Sequence, residues 1–145
     1  MKVVDANVLL SAVNTSAEHY RDAHDWLDDA LNGDEVIGLP WLVIVAFIRI
    51  STLPHGFPQP LSVSVALRYV REWLALPNVV ALNVPSTEDH LVILEALLNT
   101  ANQAGNLVSD AHIASIAKAM DAEVVTFDGD FAKFPGLRSI TPGQL

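Results

Sequence analysis

The chain has 145 residues, of which 51% are hydrophobic and 17% charged, and its mean hydropathy is +0.34. It contains no cysteine, which excludes disulfides and thiolate metal sites. Its 8 basic and 17 acidic residues give a formal net charge of −9, which is unfavourable for binding nucleic acid through phosphate contacts unless the charges are segregated.

The length predicts one domain, residues 1–145. No apolar run approaches the roughly 20 residues that cross a bilayer, and the start of the chain leads directly to Asp5 without an export signal. We therefore expect a cytoplasmic protein without membrane contact. The surplus of apolar residues also indicates that a partner, or a second copy of the chain, covers some of the surface.

Apolar periodicity and turn residues predict the order of the elements along the chain. Strands are predicted at residues 2–5, 36–39, 79–84 and 123–127, with a short edge strand within 134–140. Helices are predicted from residue 7, at 16–32, from residue 40, at 61–76, at 87–104 and from residue 110, with a loop at 52–60. One strand followed by two helices, repeated, is typical of an α/β fold with a mostly parallel sheet between layers of helices.

Two of the predicted strands end in carboxylates. Asp5 follows the first strand, and Asp128 and Asp130 follow the fourth. The carboxyl ends of parallel strands lie at the same edge of a sheet, where α/β proteins bind ligands, so we expect Asp5, Asp110 and Asp128 to converge there. Carboxylates this close repel one another, and a hard cation such as Mg²⁺ or Mn²⁺ would remove that cost.

Each of these residues also has a simpler interpretation. Asp110 precedes a periodic apolar run and is a candidate helix cap, and Asp128-Gly129 is a common turn dipeptide. Asn7 is predicted to hold the loop after the first strand through its side-chain amide, to cap the following helix, or to do both. The joint pattern is more specific than any one of these residues alone.

Three segments, in this order and spacing, resemble one family: residues 4–10 (VDANVLL), 110–114 (DAHIA) and 126–131 (TFDGDF). They are similar to the PIN-domain ribonucleases, in the branch of the VapC toxins. Residues 39–49 and 134–138 resemble a mycobacterial subgroup of that branch, so the resemblance runs the whole length of the chain.

The resemblance implies a PIN-like three-layer α/β sandwich that acts as an endoribonuclease dependent on Mg²⁺ or Mn²⁺. Asp5, Asp110 and Asp128 would be the catalytic residues and would hold the metal, with Asp130 assisting. It further implies the toxin of a toxin–antitoxin pair, which cleaves structured RNA such as tRNA or rRNA, is inhibited by a VapB-type antitoxin and forms a homodimer.

One position departs from the family, whose members usually carry a glutamate on the helix after the second strand. Ala46 occupies that position here, and no acidic residue lies between Glu35 and Glu72. The site is therefore one carboxylate short on that side, which leaves the number and affinity of bound metals open. Asp130 is the nearest candidate for compensation.

Three residues are candidates for supporting roles at the site. Asn7 would hold the active-site loop, and Asn106, four residues before Asp110, would orient that carboxylate. Arg49 lies three residues after Ala46, on the same helix face. It is expected either to contact RNA phosphate or a carboxylate of the site, or to form a structural ion pair.

Two other functions fit parts of the pattern. Without the family glutamate, the protein would be a weak or inactive module that binds RNA or an antitoxin without efficient cleavage. Substitution of Asp5 separates this from an enzyme, because only an enzyme would lose cleavage. A phosphotransfer or receiver-like α/β protein would need paired acids, or Asp-x-Asp, after the first strand, and residues 4–7 (VDAN) have neither.

Overall fold

In a computed structural model that describes residues 1–55 and 57–144, five strands form one sheet. They are β1 (Lys2–Val4), β2 (Ile37–Pro40), β3 (Val79–Leu82), β4 (Glu123–Val125) and β5 (Ser139–Ile140). Their order across the sheet is β3-β2-β1-β4-β5, and every neighbouring pair is parallel. Gly56, which falls in the predicted loop at 52–60, and Leu145 lie outside the described residues.

The described residues also contain six α-helices and one short 3₁₀ helix, Gly129–Lys133. The α-helices are α1 (Ala6–Val13), α2 (Tyr20–Leu31), α3 (Trp41–Ser51), α4 (Val63–Leu74), α5 (Thr87–Ala101) and α6 (Leu107–Ala119). They flank the sheet, so the predicted α/β sandwich with a parallel sheet is confirmed. In the part of the chain that the structure describes, no helix is both long and apolar enough to cross a membrane.

The centre of the sheet is the most deeply buried part of the molecule. Val3 and Val4 of β1 and Val124 and Val125 of β4 are all 0% exposed, as expected for parallel strands covered by helices on both faces. β1 and β4 are three residues long, and a polar residue follows each of them, Asp5 after Val4 and Thr126 after Val125. The buried valines therefore hold the carboxyl ends of β1 and β4 side by side and fix the residues that follow them.

Two boundaries differ from the predictions in ways that concern the acidic residues. β1 ends at Val4, and Asp5 is the N-cap of α1, its side chain accepting a hydrogen bond from the Ala6 N–H. The last long helix begins at Leu107 rather than at Asp110, because the left-handed backbone of Asn102 (φ 50°) and Gly105 (φ 63°) turns the chain early. Asp110 therefore lies within the helix, and its interpretation as a helix cap is wrong.

Candidate metal site

Three carboxylates from two neighbouring elements meet at the carboxyl edge of the sheet. Asp110 lies in the first turn of α6, and Asp128 and Asp130 follow β4. One carboxylate oxygen from each lies within 4.8 Å of those of the other two. The Asp128 side chain also accepts a hydrogen bond of 2.8 Å from the Asp130 N–H, which begins the 3₁₀ helix and holds the two acids together. Three oxygen donors at this spacing suit a hard divalent cation.

Asp5 lies beside this cluster, because β1 and β4 are neighbours in register. Val4 pairs with Val125, and the Asp5 N–H donates to the Val125 carbonyl at 3.0 Å. Asp5 is only 8% exposed, and its pKa is raised mainly by this burial and to a smaller extent by repulsion from the Asp128 carboxylate. The structure therefore brings all four predicted acids to one edge of the sheet, with Asp5 the most deeply buried of them.

A hydrogen-bond network fixes the Asp5 carboxylate. Its Oδ1 accepts from the Ala6 N–H at 2.7 Å, and its Oδ2 accepts from the Thr126 hydroxyl at 2.7 Å and from the Asn7 side-chain amide at 2.9 Å. The Thr126 hydroxyl in turn accepts from the Asn7 amide at 3.1 Å and from the Asp128 N–H at 3.0 Å. One hydroxyl therefore connects the carboxylate after β1 to the backbone of the acid after β4.

Asn7 has the first of its two predicted roles. Besides contacting Asp5 and Thr126, its side-chain oxygen accepts a hydrogen bond from the Phe127 N–H at 3.2 Å. The cap of α1 is Asp5, so the interpretation of Asn7 as the helix cap is wrong. Thr126, which is 3% exposed, was not predicted as a site residue. The available signal was a hydroxyl side chain at the end of an otherwise apolar strand.

Burial and mutual repulsion raise the pKa of two of the four acids. Burial is the largest cause for Asp110, whose pKa rises to about 6, followed by repulsion from Asp128, Asp5 and Asp130. Lys133, with its ammonium nitrogen 2.9 Å from an Asp130 oxygen, partly offsets that rise. A site that disfavours its own ionised carboxylates in this way favours a cation.

The pKa of Asp5 is also raised, and again burial is the largest cause. The hydrogen bonds from Thr126 and Ala6 work in the opposite direction because they stabilise the ionised carboxylate. Thr126 has the larger lowering effect of the two. The network around Asp5 therefore orients the buried carboxylate and partly offsets the rise of its pKa.

We expect the stability of the metal-free protein to fall as the pH rises through the titration of Asp110. Its folded pKa of about 6 lies above its ordinary value of 3.8, so between these values the folded state binds more protons than the unfolded state. After a discount for partial exposure and screening, the penalty is on the order of 1 kcal/mol, complete above about pH 6.

Denaturant unfolding of the wild type and of Asp110→Asn, in EDTA, measures this effect. The variant should gain most stability over the wild type at about pH 7.5 and clearly less at about pH 4.5, near the start of the range between the two pKa values, where most of the penalty has not yet developed. A difference between the two proteins that does not change with pH would contradict the assignment.

The other predicted supporting residues contribute less to the observed site. Asn106 precedes α6 without a side-chain capping hydrogen bond, and no described hydrogen bond joins it to Asp110. Arg49 is exposed and forms no ion pair among the described residues, so its interpretation as a structural ion-pair residue is wrong. Ala46 is half-buried on α3, which supplies no carboxylate to the site.

Comparison with known proteins gives a family and a set of relatives. Residues 2–137 match the PIN domain family. The ribonuclease VapC37 of Mycobacterium tuberculosis is 43% identical over 145 residues, which are 100% of this chain and 99% of that protein.

Two solved structures share the fold. VapC20 of Mycobacterium tuberculosis, described as a toxin that cleaves the sarcin-ricin loop, superposes with a TM-score of 0.67 and 18% identity, covering 95% of this chain and 99% of its own. VapBC2 of Rickettsia felis, bound to a DNA fragment from its promoter, gives a TM-score of 0.64 and 19% identity, with 97% of each chain covered. At these identities the similarity shows the fold alone.

Proposed function

The chain belongs to the PIN domain family, and we propose that it is a metal-dependent endoribonuclease, the toxin of a toxin–antitoxin pair. The observation that carries the proposal is the group of four carboxylates at the carboxyl edge of the sheet, three of which place oxygens within 4.8 Å of one another. The full-length similarity to a relative named as a ribonuclease supports it.

The donor set fits Mg²⁺ or Mn²⁺. Every donor is a carboxylate oxygen, and hard divalent cations prefer such ligands. Asp110, Asp128 and Asp130 would hold the ion, with Asp5, the N-cap of α1, beside them. A bound divalent ion supplies a Lewis acid, which activates water and stabilises charge on the phosphate.

The remaining work falls to the residues that orient these acids. Thr126 and Asn7 hold the Asp5 carboxylate in one position through hydrogen bonds of 2.7 and 2.9 Å, as partners of metal ligands commonly do. Asp128 holds the backbone of Asp130. Lys133 contacts Asp130 and places a positive charge beside the site, where it can neutralise a carboxylate or approach a phosphate group.

The substrate and partners follow the family expectation. Structured RNA such as tRNA or rRNA is the proposed substrate, the cytoplasm is the proposed location, and a VapB-type antitoxin is the proposed inhibitor. The similarity to VapBC2 supports that partner.

On α3, Trp41 and Val45 are 48% and 55% exposed and lie one turn apart, which supports a covered surface and the proposed homodimer. The family match over residues 2–137 supports one domain.

One observation favours a second candidate function. Because α3 carries Ala46 and no acid, the metal site lacks the glutamate that the family usually provides. A protein with a weak metal site would bind RNA or the antitoxin without efficient cleavage. The two functions differ in a single measurable property, the metal-dependent cutting of RNA.

Cleavage of total RNA by purified protein freed of antitoxin tests the proposal. With Mg²⁺ or Mn²⁺ we expect discrete fragments, and EDTA should slow their formation by at least about 100-fold. Adding excess Mn²⁺ to the EDTA-treated protein should restore cutting.

Two outcomes would contradict the proposal of a metal-dependent ribonuclease. Cutting that persists in EDTA would show that the metal is not required. Absence of fragments with folded protein, across RNA from several sources, would favour the binding module. Binding of the same RNA to the protein, measured by fluorescence, then distinguishes a module that binds RNA from one that binds only an antitoxin.

A further inference from the structure

Two aromatic rings stack at the residue that precedes Asp128. The His19 imidazole and the Phe127 ring are almost parallel, with an interplanar angle of 10° and ring centroids 4.4 Å apart. Phe127 lies between Thr126 and Asp128, and His19 immediately precedes α2. The stack therefore brings the start of α2 to the edge of the sheet where the acidic residues lie.

The position of this stack is fixed relative to the acids. The Phe127 N–H donates to the Asn7 side-chain oxygen at 3.2 Å, and the Asn7 amide binds the Asp5 carboxylate at 2.9 Å. Phe127 is half-buried and packs against the hydrophobic core. The backbone that carries the ring is therefore held by the same network that orients Asp5.

Apart from its stack on Phe127, the His19 side chain makes no described contact that stabilises the fold. It occupies the N-cap position of α2 but makes no side-chain capping hydrogen bond, although Ser, Thr, Asp and Asn are the residues that stabilise that position. It is exposed, and among residues 1–55 and 57–144 its ring has no hydrogen bond or ion pair. Phe127 covers one face of the ring, and the residue as a whole remains exposed.

The charge of the protein makes such a surface useful for binding RNA. With a net charge of −9 and four acids at the site, the protein has few cations to attract phosphates. Stacking of a base on an aromatic ring does not depend on phosphate contacts, and RNA-binding proteins use His and Phe in this way.

We propose that His19, supported from behind by Phe127, is a substrate-binding residue on which an unpaired nucleobase next to the cleaved phosphate stacks. This inference rests on the proposed ribonuclease function and names the part of the substrate that this surface recognises. The stacking partner is a flat base and not a phosphate, so the interaction adds affinity and position without adding positive charge.

Three variants separate stacking from structure. We expect His19→Ala to raise KM by about tenfold with little change in kcat, which is the scale of one base–aromatic stack. His19→Phe keeps a flat ring and should remain within about threefold of the wild type. The control is His24→Ala. His24 lies in α2 with its side chain 51% exposed, and the variant should behave as the wild type.

RNA substrates that each lack one base test the same contact by changing the RNA instead of the protein. The probe is an oligoribonucleotide that spans a cut site mapped with total RNA, with one base removed at each position in turn. For the wild type, removal of the base at one position beside the cut should raise KM about tenfold. For His19→Ala, removal of the same base should not raise KM further. A purely structural role for His19 would not remove that position-dependent effect.

Binding measured separately in Ca²⁺ keeps the two proposals distinguishable, with oligoadenylate as the probe if no RNA is cut. Weaker binding by His19→Ala, rescued by His19→Phe, supports the stack even if cutting is absent. The inference is overturned if His19→Ala binds and cuts as the wild type, if His19→Phe is as impaired as His19→Ala, or if the abasic penalty is unchanged in His19→Ala.

Discussion

Asp128→Asn is expected to lower RNA cleavage by about 100- to 1,000-fold while leaving the protein folded. The asparagine oxygen can still accept the 2.8 Å hydrogen bond from the Asp130 N–H, so the start of the 3₁₀ helix survives. The lost charge is one of the three that lie within 4.8 Å of one another. The metal-free variant should also be more stable than the wild type, because Asp128 is the largest source of repulsion on Asp110.

The control for this variant is Asp29→Asn, which removes one charge from the exposed face of α2. It should cut RNA as the wild type does. Single-turnover cleavage and thermal unfolding in EDTA, measured on the same preparations, report both effects. An Asp128→Asn protein that retains wild-type cleavage would exclude this carboxylate from the site.

Thr126→Val is expected to impair the site although it replaces none of the predicted metal ligands. Valine matches threonine in shape but removes the hydroxyl that donates to Asp5 at 2.7 Å and accepts from the Asp128 N–H at 3.0 Å. The Asp5 oxygen keeps its hydrogen bond from Asn7, but the Asp128 N–H loses its partner, and the loss should cost about 1–3 kcal/mol of stability. The loss of an orienting partner should cost about 10- to 100-fold in cleavage at neutral pH.

The pH dependence identifies the cause of that loss. The Thr126 hydrogen bond lowers the pKa of Asp5, so its removal raises that pKa further and less of the carboxylate is ionised at a given pH. Cleavage by Thr126→Val should therefore recover in part as the pH rises, while Thr126→Ser, which keeps the hydroxyl, should follow the wild-type profile. A Thr126→Val enzyme with the wild-type rate and profile would show that the hydroxyl has no such role.

The meeting of the four acids could be predicted because it depends on sheet topology. Two apolar strands that each end in Asp become neighbours in a parallel sheet, and the pairing of Val4 with Val125 places Asp5 beside the residues after β4. Alternation of strands and helices is visible in the residue pattern. This part of the site therefore needed no knowledge of individual side-chain contacts.

The contacts that orient the acids were not predictable in this way. Thr126 and Asp5 are 121 residues apart in the chain, and their hydrogen bond depends on the rotation of each side chain at the sheet edge. The stack of His19 on Phe127 likewise depends on how α2 packs. Periodicity describes which face of an element is buried, but not which polar groups meet across two elements.

The misplaced start of α6 has a local cause. Residues 87–104 continue a helical pattern, and the break depends on the left-handed backbone of Asn102 and Gly105, which a pattern of apolar residues does not register. Helix ends are the least certain part of any such assignment. The observed start changes the interpretation of Asp110 from a helix cap to a side chain within the first turn.

Anomalous diffraction from a crystal soaked in Mn²⁺ tests the central claim most directly, because it locates the metal without relying on an RNA substrate. We predict a peak among the carboxylates of Asp110, Asp128 and Asp130, on the side that faces Asp5, and its loss in Asp128→Asn. No peak among ordered carboxylates at saturating Mn²⁺, or a peak elsewhere on the molecule, would contradict the assignment of this edge of the sheet as the metal site.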